Sequence, residues 1–209
     1  MPISISRARG APTLYALKPR FQRLLDPVIR ILMRAGVSAN QVTVAAFVLS
    51  LATGGAILIW PHESWPLLVV PAVLFVRMAL NAIDGPLARR QAPGNSLGVL
   101  LNELDVVLSD TAIYLPLALV PGIPASLMVL AVVLAMTAEF AGVVALQVGG
   151  ERRLDGPMGK ADRALAIGTI TLLLGLGVEA GLWVNIALGI ITLLLAVTIL
   201  NRCRNSFGR

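Results

Sequence analysis

Six apolar segments, each near the length that crosses a bilayer, run through this chain of 209 residues. They occupy roughly 42–60, 67–88, 97–120, 125–148, 164–178 and 182–200. A spanning helix takes about 20 residues, so six spans leave no room for a soluble catalytic domain. Charged residues make up 13% and hydrophobic ones 57%, where soluble domains carry about 25% charge. The apolar content excludes disorder. A single cysteine, Cys203, excludes a disulfide scaffold. One cysteine and one histidine are too few for a zinc site with four N/S ligands. The pattern predicts an all-α integral membrane fold of six transmembrane helices.

Ahead of the spans, the stretch from Leu14 to Ala35 predicts a basic amphipathic helix. Phe21, Leu24, Leu25, Val28, Ile31 and Leu32 recur at helical spacing, with arginines on the other face. Such a helix lies in the membrane interface. Gly36 ends it, and Ser38 is placed to cap the next helix. The organisation is an N-terminal region over 1–39, a transmembrane domain over 40–200 and a basic tail over 201–209. Sixteen of the seventeen Lys/Arg fall at the N-terminus, near 89–96, near 149–163 and in the tail. The positive-inside rule therefore places both termini on the cytoplasmic side of a multi-pass inner (cytoplasmic) membrane protein. The net charge of +6 points to anionic lipid head groups. No aromatic platform points to nucleic acid.

The remaining cation, Arg77, is inside the second span, and polar groups in hydrocarbon mark function by default. At about 100° per residue, Arg77, Asn81 and Asp84 share one stripe. On the third span Asn102, Asp105 and Ser109 share another, with Glu103 and Asp110 close by and Glu139 on the fourth. Carboxylates and amides gathered at one depth suit a hard cation bound through oxygen, namely Mg²⁺, Mn²⁺ or Ca²⁺. The competing reading is a buried Arg77–Asp84 ion pair that only fixes packing. Gly85 and Ala88 are small enough to let a ligand approach the backbone. Arg89 and Arg90 offer a phosphate grip.

The stretch Asn81-x2-Asp84-Gly85-x2-Ala88-Arg89-x8-Gly98-x3-Asn102 resembles the signature of the CDP-alcohol phosphotransferases, D-x2-D-G-x2-A-R-x8-G-x3-D-x3-D. The likeness extends to the six spans and the interfacial helix. It implies a polar cavity open to the cytoplasm and a membrane-embedded transferase of phospholipid biosynthesis. The reaction so implied releases CMP from a CDP-linked lipid or alcohol donor as the group passes to an acceptor alcohol. It also implies a divalent metal, Mg²⁺ or Mn²⁺, on Asn81, Asp84, Asn102 and Asp105, and a donor held by Gly85, Ala88, Arg89, Lys160 and Arg163. This sequence has Asn at the first and third acid positions, which resembles a bacterial subgroup. At the fourth stands Val106, which neither coordinates nor accepts a proton. Asp105 is the first candidate for the base and Asp110 the second.

Two other functions stay open. One is a homologue that binds CDP-lipid or anionic lipid without turnover, motivated by the missing acids. The other is a small ion-coupled transporter, disfavoured because no internal repeat is visible. Gly54-Gly55 and Gly177…Gly181 allow close helix packing or a homodimer. The residues do not specify the acceptor alcohol.

Overall fold

The computed structural model describes residues 18–91, 96–148 and 152–207. Every regular element among them is helical. Helix α1 runs Lys18–Arg34, α2 Ala39–Ile59, α3 Ser64–Gln91, α4 Ser96–Tyr114, α5 Ala125–Val144, α6 Lys160–Gly175 and α7 Leu182–Phe207. A 3₁₀ turn, Leu115–Leu119, follows α4, where Pro116 has no N–H to continue the ladder. Residues 14–17 of the predicted first helix, the turn at 92–95 and Gly149-Gly150 lie outside the described residues.

The helix boundaries follow from local chemistry. Gly36 takes φ +72°, and its N–H and that of Val37 bond back to Met33 and Leu32 at 3.2 and 3.0 Å. This C-terminal cap needs the left-handed backbone that glycine adopts without strain. Two residues on, Ser38 and Gln41 form a reciprocal capping box, at 3.2 and 2.8 Å. The predicted cap and stop are thus both present.

Helices α2, α3, α5 and α7 are long and apolar enough to cross a membrane. Helix α4 carries Glu103, Asp105 and Asp110 along its length, and α6 has only 16 residues.

Packing runs in pairs. Helix α2 lies against both α3 and α4, α3 against α6, and α5 against α7. A Cβ on Gly54 would stand 1.8 Å from the Ala112 carbonyl oxygen, so this glycine lets α2 and α4 touch backbone to backbone. Gly55 faces open space. Ile57, Val70, Leu117, Leu188 and Leu195 close the core.

Helix α1 divides its apolar residues between two faces. Leu25, Ile29 and Leu32 pack against Ile83 and Leu87 at the end of α3. Leu24, Val28 and Ile31 stay exposed beside Arg23, Arg30 and Arg34. Helix α7 continues past residue 200, where the sequence placed a tail, and Arg202 is 1% exposed.

Candidate functional site

Asn81, Asp84, Gly85, Ala88 and Arg89 all lie on the C-terminal half of α3. Asp84 is 5% exposed, and its Oδ1 accepts the Gly85 N–H at 2.5 Å. Arg89 is exposed, and its Nη1 lies 3.6 Å from where a Gly85 Cβ would be. Its guanidinium therefore folds back over the glycine. Arg90 turns away, to Asp26 Oδ1 at 3.4 Å and Met33 Sδ at 3.9 Å on α1. Of the two arginines expected to grip phosphate, Arg89 is the one that stays beside Gly85.

The partner residues stand on α4. Asn102 is half-buried, and Asp105 is 4% exposed. Asp105 Oδ1 accepts the Ser109 hydroxyl at 2.7 Å, which fits the shared stripe expected of those positions. Helices α3 and α4 approach each other through side chains, chiefly Arg77 Nη1 to Asp110 Oδ1 at 3.1 Å. That contact sets their register. Residues 92–95 separate the two consecutive helices, which an antiparallel course brings alongside each other. At about 1.5 Å per residue, Asn81 and Asp84 lie about 6 and about 10 Å beyond Arg77 towards the turn. Asp105 and Asn102 lie about 8 and about 12 Å beyond Asp110 in the same direction. On such a course the ideal helix rise puts the two pairs at a similar depth.

Two acceptor oxygens in this layer, Asn81 Oδ1 and Asp105 Oδ2, are buried without a hydrogen-bond partner. Buried acceptors without donors are costly, and a hard divalent cation is what such oxygens accommodate. Among the described residues no three His, Cys, Asp or Glu side chains converge as a metal cluster. In chemistry, Asn81, Asp84, Asn102 and Asp105 would offer such a cation two carboxylates and two amide oxygens, with less charge than four acids would bring.

Further along α4, the charges form a buried network. Arg77 pairs with Asp110, and so the alternative Arg77–Asp84 pair gives way to this one. Asp110 Oδ2 also receives Arg163 Nη2 at 3.0 Å, and the same nitrogen reaches Glu139 Oε1 at 3.0 Å. Glu139 Oε2 lies 3.6 Å from Arg202 and 3.9 Å from Arg152, and Arg152 bonds Glu103 at 2.6 Å. Arg163, at 2% exposure, thus gives its Nη2 to two protein carboxylates. Lys160 opens α6 half-buried, close enough to Glu103, Asp105 and Glu139 to act on their charge. Val106, Asp110, Tyr114, Glu139 and Arg163 line a cavity of about 10 Å³. That is on the order of one water molecule and excludes a nucleotide from this spot.

Arg202 falls in the stretch expected to be a basic tail, yet it is buried on α7. Ile191, Leu195, Thr198 and Arg202 form one buried stripe on α7, and that helical spacing was the available signal. Arg202 also donates to the carbonyls of Ala138 and Asp155. Gln22 and Gln91, which tie α1 and its following turn to α3, carried no signal at all, since exposed-looking glutamines are common.

No family model matches the chain. The inner membrane protein YnbA of Escherichia coli (strain K12) is 42% identical over 193 residues, 92% of this chain and 96% of YnbA. The chain belongs to the YnbA family. In fold, this YnbA-family chain matches the Mycobacterium tuberculosis phosphatidylinositol phosphate synthase PgsA1 with CDP-DAG bound, at TM-score 0.73 and 16% identity. The match covers 90% of this chain and 98% of the synthase. PgsA1 in complex with manganese and citrate matches at TM-score 0.72 and 16% identity, over 88% and 91%. This YnbA-family chain thus shares the helical architecture of that synthase.

Proposed function

We propose that this chain is a divalent-metal-dependent CDP-alcohol phosphotransferase of phospholipid biosynthesis in the inner membrane. The observation that carries the reading is that Asn81 Oδ1 and Asp105 Oδ2 are buried without donors, on two helices tied by the Arg77–Asp110 contact. The fold of a synthase crystallised with CDP-DAG and, separately, with manganese supports it. In this reading α4 and α6 also span, making six transmembrane helices. Helix α1 rests its Leu24–Val28–Ile31 face in the interface, and both termini are cytoplasmic. Arg89, Gly85 and Ala88 receive the donor pyrophosphate, and Lys160 lies on the same cytoplasmic side.

A bound Mg²⁺ or Mn²⁺ would neutralise charge on the pyrophosphate oxygens. Arg89 adds charge-assisted hydrogen bonds to the same group. The acceptor hydroxyl oxygen bonds to the β-phosphorus as the bond from that phosphorus to the CMP oxygen breaks. Asp105 takes the hydroxyl proton. Asp105 suits the task better than Asp110, whose two oxygens are held by Arg77 and Arg163. Arg163 serves this network and positions α4 against α5 and α6.

A second reading, a homologue that binds CDP-lipid without turnover, is favoured by one observation: Val106 stands where the family signature has an acid. Titration of the purified protein with CDP-diacylglycerol, with and without Mn²⁺, tests the site common to both readings. Metal-enhanced binding that Asp84→Ala abolishes is expected. Binding indifferent to Mn²⁺ and to Asp84→Ala would place the nucleotide elsewhere.

A further inference from the structure

Pro86 lies within α3, one turn past Ala82. Proline has no N–H, so the carbonyl four residues earlier loses its helical donor. That carbonyl belongs to Ala82, a residue 4% exposed, where an unpartnered oxygen is costly. The missing donor comes from another helix: Gln22 Nε2 of α1 bonds the Ala82 oxygen at 3.1 Å. The carbonyl so repaired lies between Asn81 and Asp84, and the same turn carries Gly85. Leu25, Ile29 and Leu32 of α1 pack on Ile83 and Leu87 around it. Arg90 and Gln91 add further polar ties between α1 or its following turn and α3.

We propose that Gln22 is a positioning residue: by closing the carbonyl that Pro86 leaves open, it holds the α3 turn that presents Asn81 and Asp84. A proline-containing helix bends where its ladder is broken. Releasing Gln22 lets that bend grow and moves Asp84 relative to Asn102 and Asp105. Helix α1 is then part of the site as well as a membrane-surface element. The proposal rests on the reading of these four residues as a metal site.

The test uses the full chain in detergent, with Mn²⁺ alone as the probe followed by electron paramagnetic resonance, and amide hydrogen exchange over residues 83–90. Gln22→Leu keeps the bulk and loses the donor. It is expected to weaken Mn²⁺ binding about three- to tenfold, the size of one lost hydrogen bond, and to speed exchange. Gln22→Lys restores a donor and should stay within about twofold of wild type. In a Pro86→Ala background, a backbone N–H again serves Ala82, and Gln22→Leu should change neither readout. Equal losses in both backgrounds, or no loss from Gln22→Leu alone, would overturn the proposal. If Pro86→Ala does not fold, the Leu and Lys variants decide by themselves. Asp84→Asn is the control. If it leaves Mn²⁺ binding intact, the metal reading fails, and exchange over 83–90 alone decides the role of Gln22: faster exchange upholds it, unchanged exchange overturns it.

Discussion

Asp105 and Val106 are neighbours on α4, yet they face different surroundings. Val106 borders the small cavity with Asp110 and Glu139, while Asp105 bonds Ser109 and has its second oxygen buried without a donor. In the proposed reaction a carboxylate placed that way is the proton acceptor. Asp105→Asn should stop CMP release while leaving CDP-diacylglycerol binding within about twofold, as read by turnover and titration on one preparation. Asp110→Asn has a different consequence. It leaves Arg77 and Arg163 buried with one partner fewer, and breaking such a pair costs about 3–5 kcal/mol. Its signature is a lowered thermal midpoint. Arg89→Ala should weaken nucleotide binding at least about tenfold, through loss of a charge-assisted hydrogen bond. Arg90→Ala should leave that affinity in place, because Arg90 is turned to Asp26 and Met33. Equal losses from the two arginines would replace a formed pocket with a diffuse basic surface.

At the scale of helices, the sequence made the elements legible and their partners less so. The apolar segments became helices with ends shifted by up to seven residues, and the best-placed ends are those with local chemistry such as the Ser38–Gln41 box and the Gly36 stop. The shared stripe of Asp105 and Ser109 was also legible, since it depends only on helical period. Pairings between distant segments were not. Arg77 shares a stripe with Asp84, yet its guanidinium reaches Asp110, 33 positions away. Glu139 gathers Arg163, Arg202 and Arg152 from α6, α7 and the loop between α5 and α6. No periodicity within one segment reports such a junction. The junction makes its own prediction. Glu139→Leu strips a carboxylate from buried guanidiniums and should lower the thermal midpoint far more than Glu179→Leu, a substitution at an exposed residue. A similar midpoint for the two variants would show that the network adds nothing to holding α5, α6 and α7 together.

For the whole molecule, Cys203 gives access to its orientation in the membrane. It is the single cysteine of the chain and is exposed on α7. A membrane-impermeant maleimide should label it in inside-out vesicles and leave it unlabelled in intact spheroplasts, as a cytoplasmic C-terminus requires. The reverse pattern would invert the topology and put Asp84 and Arg89 on the side away from cytoplasmic nucleotides. Activity turns on whether two carboxylates and two amides, with Asp105 beside the family position, suffice for transfer. The most direct measurement is release of labelled CMP from CDP-diacylglycerol by the purified protein in liposomes, with Mg²⁺ or Mn²⁺ and a panel of acceptor alcohols. Metal-dependent release that vanishes with Asp84→Ala and with Asp105→Asn is the predicted result. No release from wild type with any acceptor, but release once Asp105→Val is combined with Val106→Asp, would contradict it and leave a lipid-binding homologue that has lost its base.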